Sequence, residues 1–303
     1  MEAGHDLAAF VKVADRGGFS AAAEDLGLTP SALSKLVSRL EERLGARLFA
    51  RSTRKVSLTP EGEVYLAHCR DILAAMEAAD AEISAAGGRP QGVVRVNVGS
   101  AFARHQLDSF VPDFCARYPD VHLDIAVTDR LIDVLTEGVD VAIRTGTLSD
   151  SRLVARKIGE SRRYICASPD YLARNGTPRL PADLVSHNCL LLSNFSALAR
   201  WPFMTPEGLN RMQVSGRMTC DSADLLLDYA VRGFGIVRLG DMLVGDAIRR
   251  GDLVTLLEDH HVEEPYGIWA VMPPGRNRAL RVRVFVDALA EAFKDSPWNI
   301  AKD

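Results

Sequence analysis

The sequence predicts an α+β multidomain chain: a winged helix-turn-helix, then a long linker helix, then a two-lobed α/β region. Three observations predict it. Short helical patterns broken by glycine open the chain and lead into a basic stretch, an apolar repeat of 3.5 residues follows, and from Val93 the pattern alternates strand with helix. At 303 residues the chain exceeds what one compact core usually organises. The expected division is 1–60, 61–87, a hinge at 88–92, and 93–303, with lobe I at about 93–162 and 268–303 and lobe II at about 163–267.

Leu7, Phe10, Val11 and Ala14 recur at helical spacing, and Gly17-Gly18 ends that helix. Ser20 is placed to cap a short helix from Ala21 to Leu26, which Gly27 stops. Thr29 caps the next helix, and Pro30 fits its first position, where no backbone donor is missed. Two helices joined by a tight glycine-containing turn make a helix-turn-helix. In the second, Leu33, Val37, Leu40 and Leu44 form the apolar stripe, while Ser31, Ser34, Lys35 and Ser38 share a slim polar face suited to a DNA major groove. Arg47–Ala50 and Val56–Leu58 read as a hairpin around a basic tip, a wing able to meet phosphates through Arg51, Arg54 and Lys55. Between Leu28 and Leu58 seven basic residues stand against Glu41 and Glu42, a local balance of +5 in a chain of net charge -4. Such segregation drives counterion release on double-stranded DNA.

Thr59-Pro60 repeats the capped start, and the following helix is expected to reach Ala86. Tyr65, Cys69, Ile72, Met76, Ala79 and Ile83 alternate spacings of four and three, the signature of a two-helix seam. A dimer joined there places two recognition helices about one DNA turn apart, on an inverted-repeat operator. Packing of the same stripe on its own domain is the competing reading.

The run Phe19-Ser20-Ala21-Ala22-Ala23, Leu26 to Ser34, Leu40-Glu41, Leu44-Gly45, Leu48-Phe49, Arg51 and Leu58 to Gly62 closely resembles the LysR-type transcriptional regulators. Position by position, the resemblance implies DNA contacts at Ser31, Ser34, Lys35 and Ser38, with Arg51 and Arg54 near the wing. The family often carries glutamine where this chain has Pro30, which implies a shifted operator preference. Asp140 to Arg144, Ala167 to Leu172 and Gly233 to Ile236 are similar to the family's effector domain, itself like periplasmic solute-binding proteins. The resemblance further implies a homo-tetramer, built as a dimer of dimers, that acts on DNA bending and RNA polymerase.

In the C-terminal region the expected elements are strands at Val93–Val98, His122–Val127 and Val139–Ile143 and helices at Phe102–Arg117 and Arg130–Thr136, giving a parallel sheet. Lobe II is expected to hold strands Tyr164–Ala167 and Gly235–Arg238 and helices Pro169–Ala173, Ser222–Arg232 and Asp241–Arg249. Tyr266–Met272 reads as a returning strand and Arg278–Phe293 as the closing helix. Ligands of open α/β sheets bind beyond strand carboxyl ends, near helix N-termini. Strand-end logic and family position nominate Ser100, Ala101, Phe102, Thr128, Arg144, Thr145, Ser193, Asn194, Asp221 and Ser222 as the lining of a small-molecule effector site. Hydroxyls with backbone donors suit a carboxylate, and an organic acid or an aromatic compound is the expected effector. Two roles stand open for Arg144, an effector contact or an ion pair with Asp140 or Asp129. Trp201 and Phe195 either face an aromatic effector or fill the core.

Enzyme chemistry is not expected: no phosphate-binding glycine loop, metal-ligand spacing or nucleophile elbow occurs, and no cofactor is implied. His260-His261 reads as an exposed loop. Five scattered cysteines point to reduced thiols in a cytoplasmic protein, with no membrane span. A cysteine-based redox regulator of the same fold is the alternative, since Cys166, Cys189 and Cys220 all fall in lobe II.

Overall fold

Three short helices and a two-stranded hairpin build the N-terminal unit: α1 (Glu2–Arg16), α2 (Phe19–Asp25), α3 (Pro30–Leu44), β1 (Phe49–Arg51) and β2 (Val56–Leu58). The computed structural model describes residues 2–51, 56–84, 89–130, 132–135, 137–148, 152–193 and 196–300. The Thr29 hydroxyl accepts the Ala32 amide at 3.2 Å, and Pro30 follows at the first helical position. Gly45, at φ 65°, closes α3 in a left-handed conformation that glycine adopts without strain. Ser20 corrects the sequence reading. It lies inside α2, whose first residue is Phe19, and the Gly18 backbone precedes it without a side-chain cap. Leu44 also departs from expectation, being exposed, because the stripe it continues ends where Gly45 turns the chain away.

Phe10, Val13, Leu33, Val37, Leu40 and Leu48 are almost wholly buried in one core. Glu41 is buried with them. Its Oε1 accepts the Leu48 amide at 2.8 Å and the Phe49 amide at 3.2 Å, while Oε2 meets Arg47 Nη1 at 3.0 Å. One carboxylate thereby ties the wing to the recognition helix.

Helix α4 (Pro60–Ser84) follows, with the Thr59 hydroxyl accepting the Gly62 amide at 3.0 Å. Gly62 presses against the Leu48 carbonyl, and a methyl group added there would overlap that oxygen. The heptad stripe divides in two. Tyr65 and Cys69 pack into the N-terminal core, whereas Ile72 and Met76 are exposed. Of the expected hinge, residue 88 lies outside the described residues, residues 89–91 carry no helix or strand, and Gly92 already begins the first strand of the C-terminal region.

The C-terminal region holds two lobes. Lobe I is a five-stranded sheet in the order β4-β3-β5-β14-β6, made of β3 (Gly92–Val98), β4 (Val121–Val127), β5 (Val141–Thr145), β6 (Val154–Ser161) and β14 (Tyr266–Met272). β3 runs parallel to β4 and β5, but β14 is antiparallel to β5 and to β6. The sheet is therefore mixed, not parallel as expected, because the chain returns from lobe II and inserts β14 head-to-tail between two lobe I strands. Helices α5 (Ser100–Arg117) and α9 (Leu280–Phe293) cover it, with Phe114 and Phe285 rings edge-to-face at 5.2 Å.

The expected helix at 130–136 is absent among its described residues, which form bends and turns. The Asp133 carboxylate accepts the Leu135 amide at 2.9 Å, a local bond that competes with the helical ladder. Just beyond it, Arg276 and Asp140 form a buried pair at 2.7 Å. Arg276 Nη1 also donates to the Gly138 carbonyl at 3.0 Å, and Arg70 of α4 lies against that glycine.

Lobe II contains β7 (Arg163–Ala167), α6 (Pro169–Asn175), β8 (Leu191–Leu192), β9 (Arg200–Thr205), β10 (Gly208–Gln213), β11 (Thr219–Cys220), α7 (Ala223–Val231), β12 (Val237–Gly240), α8 (Asp241–Arg249) and β13 (Val254–Thr255). Its principal sheet runs β12-β7-β13. The chain crosses between lobes at Arg162, between β6 and β7, and again before Tyr266. No described helix is long and apolar enough to cross a membrane.

Candidate functional site

The candidate DNA-binding face is the polar side of α3. Ser31 and Lys35 are exposed there, and Ser34 and Ser38 are half-buried one turn apart. The Ser31 hydroxyl lies 3.1 Å from that of Thr29, so the cap also orients the first serine of the face. Arg39 pairs with Asp6 at 3.5 Å and Arg47 with Glu41, which leaves the positive charge of α3 concentrated toward Lys35 and Arg43. Arg51 ends β1, while Arg54 and Lys55 of the expected wing tip lie outside the described residues.

The second site is a cleft of ≈ 600 Å³ where the two lobes meet. Six nominated residues line it: Ala101, Phe102, Thr128, Arg144, Thr145 and Asp221. Three nominated hydroxyls do not. Ser100 Oγ donates to Asp129 Oδ2 at 2.6 Å, Ser222 is spent capping α7, and Ser193 is exposed away from the lining. Asn194 and Phe195 lie outside the described residues, and Trp201 fills the lobe II core at 1% exposure.

Arg144 pairs with neither of its proposed acids. Asp140 is taken by Arg276, and Asp129 by Ser100. The Arg144 guanidinium instead bonds its neighbour's carbonyl, Ile143 O, at 3.1 Å, and its other terminal nitrogen is buried without a partner. Desolvation holds its pKa below the ordinary arginine value.

The sequence does not point to Arg163, Arg238, Tyr266 or Arg130, which also line the cleft. Arg163 stacks over the Tyr266 ring at 4.0 Å. Arg238 is 7% exposed and donates from Nε to His261 Nε2 at 2.9 Å. Its Nη2 reaches Glu264 only at 3.8 Å, beyond hydrogen-bond length, and Glu264 is already held by Arg211. Burial, and then Arg163, push the Arg238 pKa down to about 10. Strand-end logic could not find these residues, because Arg163 starts β7 and Arg238 sits within β12.

His261 is thereby corrected from an exposed loop residue to a half-buried acceptor. Burial, and then Arg238, lower its pKa to about 4 from 6.5. The unfolded chain binds a proton there that the folded chain refuses, so this histidine lends stability fully above pH 6.5 and loses it as pH falls toward 4. Thermal melts across that window should show a loss of roughly 3 kcal/mol that is absent in His261→Gln. Equal pH profiles for both chains would refute the assignment.

A cross-lobe bond sits beside the cleft: His105 of α5 meets Asp224 of α7 at 2.8 Å and lowers that carboxyl's pKa. Among the described residues no cluster of three potential metal ligands occurs.

Residues 5–63 match the model described as bacterial regulatory helix-turn-helix protein, lysR family, and residues 87–294 match the LysR substrate binding domain. The chain belongs to the LysR family of transcriptional regulators. The LysR-family regulator CrgA of Neisseria meningitidis is 38% identical over 286 residues, 94% of this chain and 95% of that protein. The solved structure of CrgA superposes with a TM-score of 0.65 at 37% identity, covering 95% of this chain and 97% of that one. Full-length AphB of Vibrio cholerae, a TM-score of 0.61 at 24% identity over 95% and 98% of the two chains, shares the fold. This LysR-family chain is thus a DNA-binding transcriptional regulator with a substrate-binding effector domain.

Proposed function

We propose that the regulator binds an inverted-repeat operator through Ser31, Ser34, Lys35 and Ser38, with Arg51, Arg54 and Lys55 at the wing, and that a small organic anion between the lobes modulates operator affinity or DNA bending. The observation that carries the effector class is the charge of the cleft, where four arginines face two aspartates. Phe102 and Tyr266 in the lining accommodate an aromatic acid as readily as an aliphatic one. The regulator works as a homo-oligomer, a dimer of dimers in this reading; the exposed Ile72 and Met76 of α4 support its first step, since they offer apolar surface to a second helix. Its changed DNA bend alters contact with RNA polymerase. Effector and operator are coupled only if the effector binds one quaternary state better than the other.

Burial raises Cys166 and Cys189 to about 12 and Cys69 to about 11, which disfavours these three as thiolates, while Cys220 is half-buried and carries what is left of the redox alternative.

A footprint upstream of its own gene, with and without a panel of carboxylates, tests the reading: one compound should change a protected inverted repeat. Protection that no member alters would remove the anion claim. Lys35→Ala should weaken operator binding and reduce the salt slope by about 0.9 for the lost phosphate contact. An unchanged slope in salt titrations would remove Lys35 from the phosphate contacts.

A further inference from the structure

Resting on the cleft reading above, one feature of the arginines narrows the ligand further. They do not form a single cluster. Arg144 belongs to β5 in lobe I, whereas Arg163 and Arg238 belong to adjacent strands of lobe II. Each set is short of counter-charge. Arg144 has a buried terminal nitrogen without a partner and no carboxylate bonded to it. Arg238 likewise has a buried nitrogen without a hydrogen bond, and its Nε is committed to a neutral imidazole. Removing a guanidinium from water without a bonded anion is costly, and the cost is incurred here on both sides of one cavity.

The acids nearby relieve it only in part, Glu264 standing 3.8 Å from Arg238 Nη2 and Asp221 lining the same cavity. Asp129 accepts both the amide and the hydroxyl of Ser100, and Glu264 serves Arg211. Asp241 accepts from Ser161 and from the Met242 amide in the first turn of α8, and burial raises its pKa.

We infer that the effector is a dianion with two separated anionic groups, one bound by Arg144 of lobe I and the other by Arg163 and Arg238 of lobe II. A monoanion satisfies one lobe and leaves the other's guanidinium as it was. A dianion satisfies both and ties the lobes together, so its binding free energy is spent on closing them. Bidentate arginine–carboxylate geometry gives each end directional as well as Coulombic attraction. His261 is a positioning residue in this scheme, holding the Arg238 fork by its Nε and leaving the terminal nitrogens for the ligand.

The test compares ligands of one shape and different charge on the full-length protein. Calorimetry is run with succinate, glutarate and adipate, with the half-amide of each, and with sulfate at matched ionic strength. At least one diacid should bind, and at least about tenfold more tightly than its own half-amide, the effect of one charge-assisted pair. Arg144→Gln and Arg238→Gln should each bring that ratio close to one. The wild-type comparison stands by itself if either variant melts abnormally. A half-amide binding within about threefold of its diacid, sulfate binding as tightly as any diacid, or no binding by any of the three diacids overturns the inference. Hydrogen exchange separates the two levels of the argument. Half-amides that bind equally well and protect cleft amides leave the cleft reading intact, while a bound diacid that protects only amides elsewhere removes both.

Discussion

Arg276→Ala should destabilise the effector domain by about 3–5 kcal/mol, the largest single-residue effect expected in this chain. Arg276 and Asp140 are 9% and 3% exposed at their side chains, so deleting the cation leaves a carboxylate buried without its charge partner. Asp140 keeps only the Arg95 amide, at 2.9 Å. The Gly138 carbonyl loses its guanidinium donor at the same time, and that turn is where Arg70 of α4 rests. Urea unfolding followed by far-ultraviolet circular dichroism measures the loss. Double replacement of Arg276 and Asp140 by apolar residues should recover much of it, because a pair removed together strands no charge. A single variant within about 1 kcal/mol of wild type would show that water reaches the pair and screens it.

Glu41→Ala should cost about 2–4 kcal/mol in the N-terminal unit and abolish operator binding before it unfolds the effector domain. The Leu48 and Phe49 amides both depend on that carboxylate, and each would be left buried without an acceptor. Loss of the Arg47 contact adds little, since Arg47 is largely exposed. The diagnostic result is an early transition in thermal melts, assigned to the N-terminal unit by its amide exchange, with the ligand-binding transition unmoved. Glu41→Gln should retain part of the stability, because its carbonyl still accepts one or both amides. A Glu41→Ala chain that binds operator normally would mean that the wing keeps its place by apolar packing of Leu48 and Phe49 alone.

What could be read from the sequence follows from how local each determinant is. Thr29, Pro30 and Gly45 act on their own turn of chain, and α3 begins and ends at them. Ser168-Pro169 does the same for α6. Ser20 misled because the Gly18 backbone, extended at φ -177°, starts α2 one residue before the serine can cap it. Asp133 misled in the opposite way: its carboxylate turns the backbone where a helical pattern of residues continues. β6 escaped notice because four exposed residues precede its buried end, so no period-two pattern declares it.

The candidate site divides along the same line. Phe102, Thr128 and Arg144 are legible because each follows or ends a strand whose position the sequence announces. Arg163 and Arg238 become neighbours only when β7 and β12 pair antiparallel, a long-range event with no local signature. The carboxylates nominated to neutralise Arg144 are likewise claimed by partners distant in sequence, Asp140 by Arg276 above all.

Gly62 makes the linker helix a stiff lever. With no side chain between them, α4 and the Leu48 carbonyl leave no slack between helix and wing, and Tyr65 and Cys69 key the first turns into the core around α3. A 25-residue helix extends about 37 Å at 1.5 Å per residue. Tilting its far end through about 10° therefore sweeps the recognition helix through roughly 6 Å, half the width of a major groove. An angular change small enough to leave every packed contact of the effector domain in place is amplified, by length alone, into loss or gain of register on the operator.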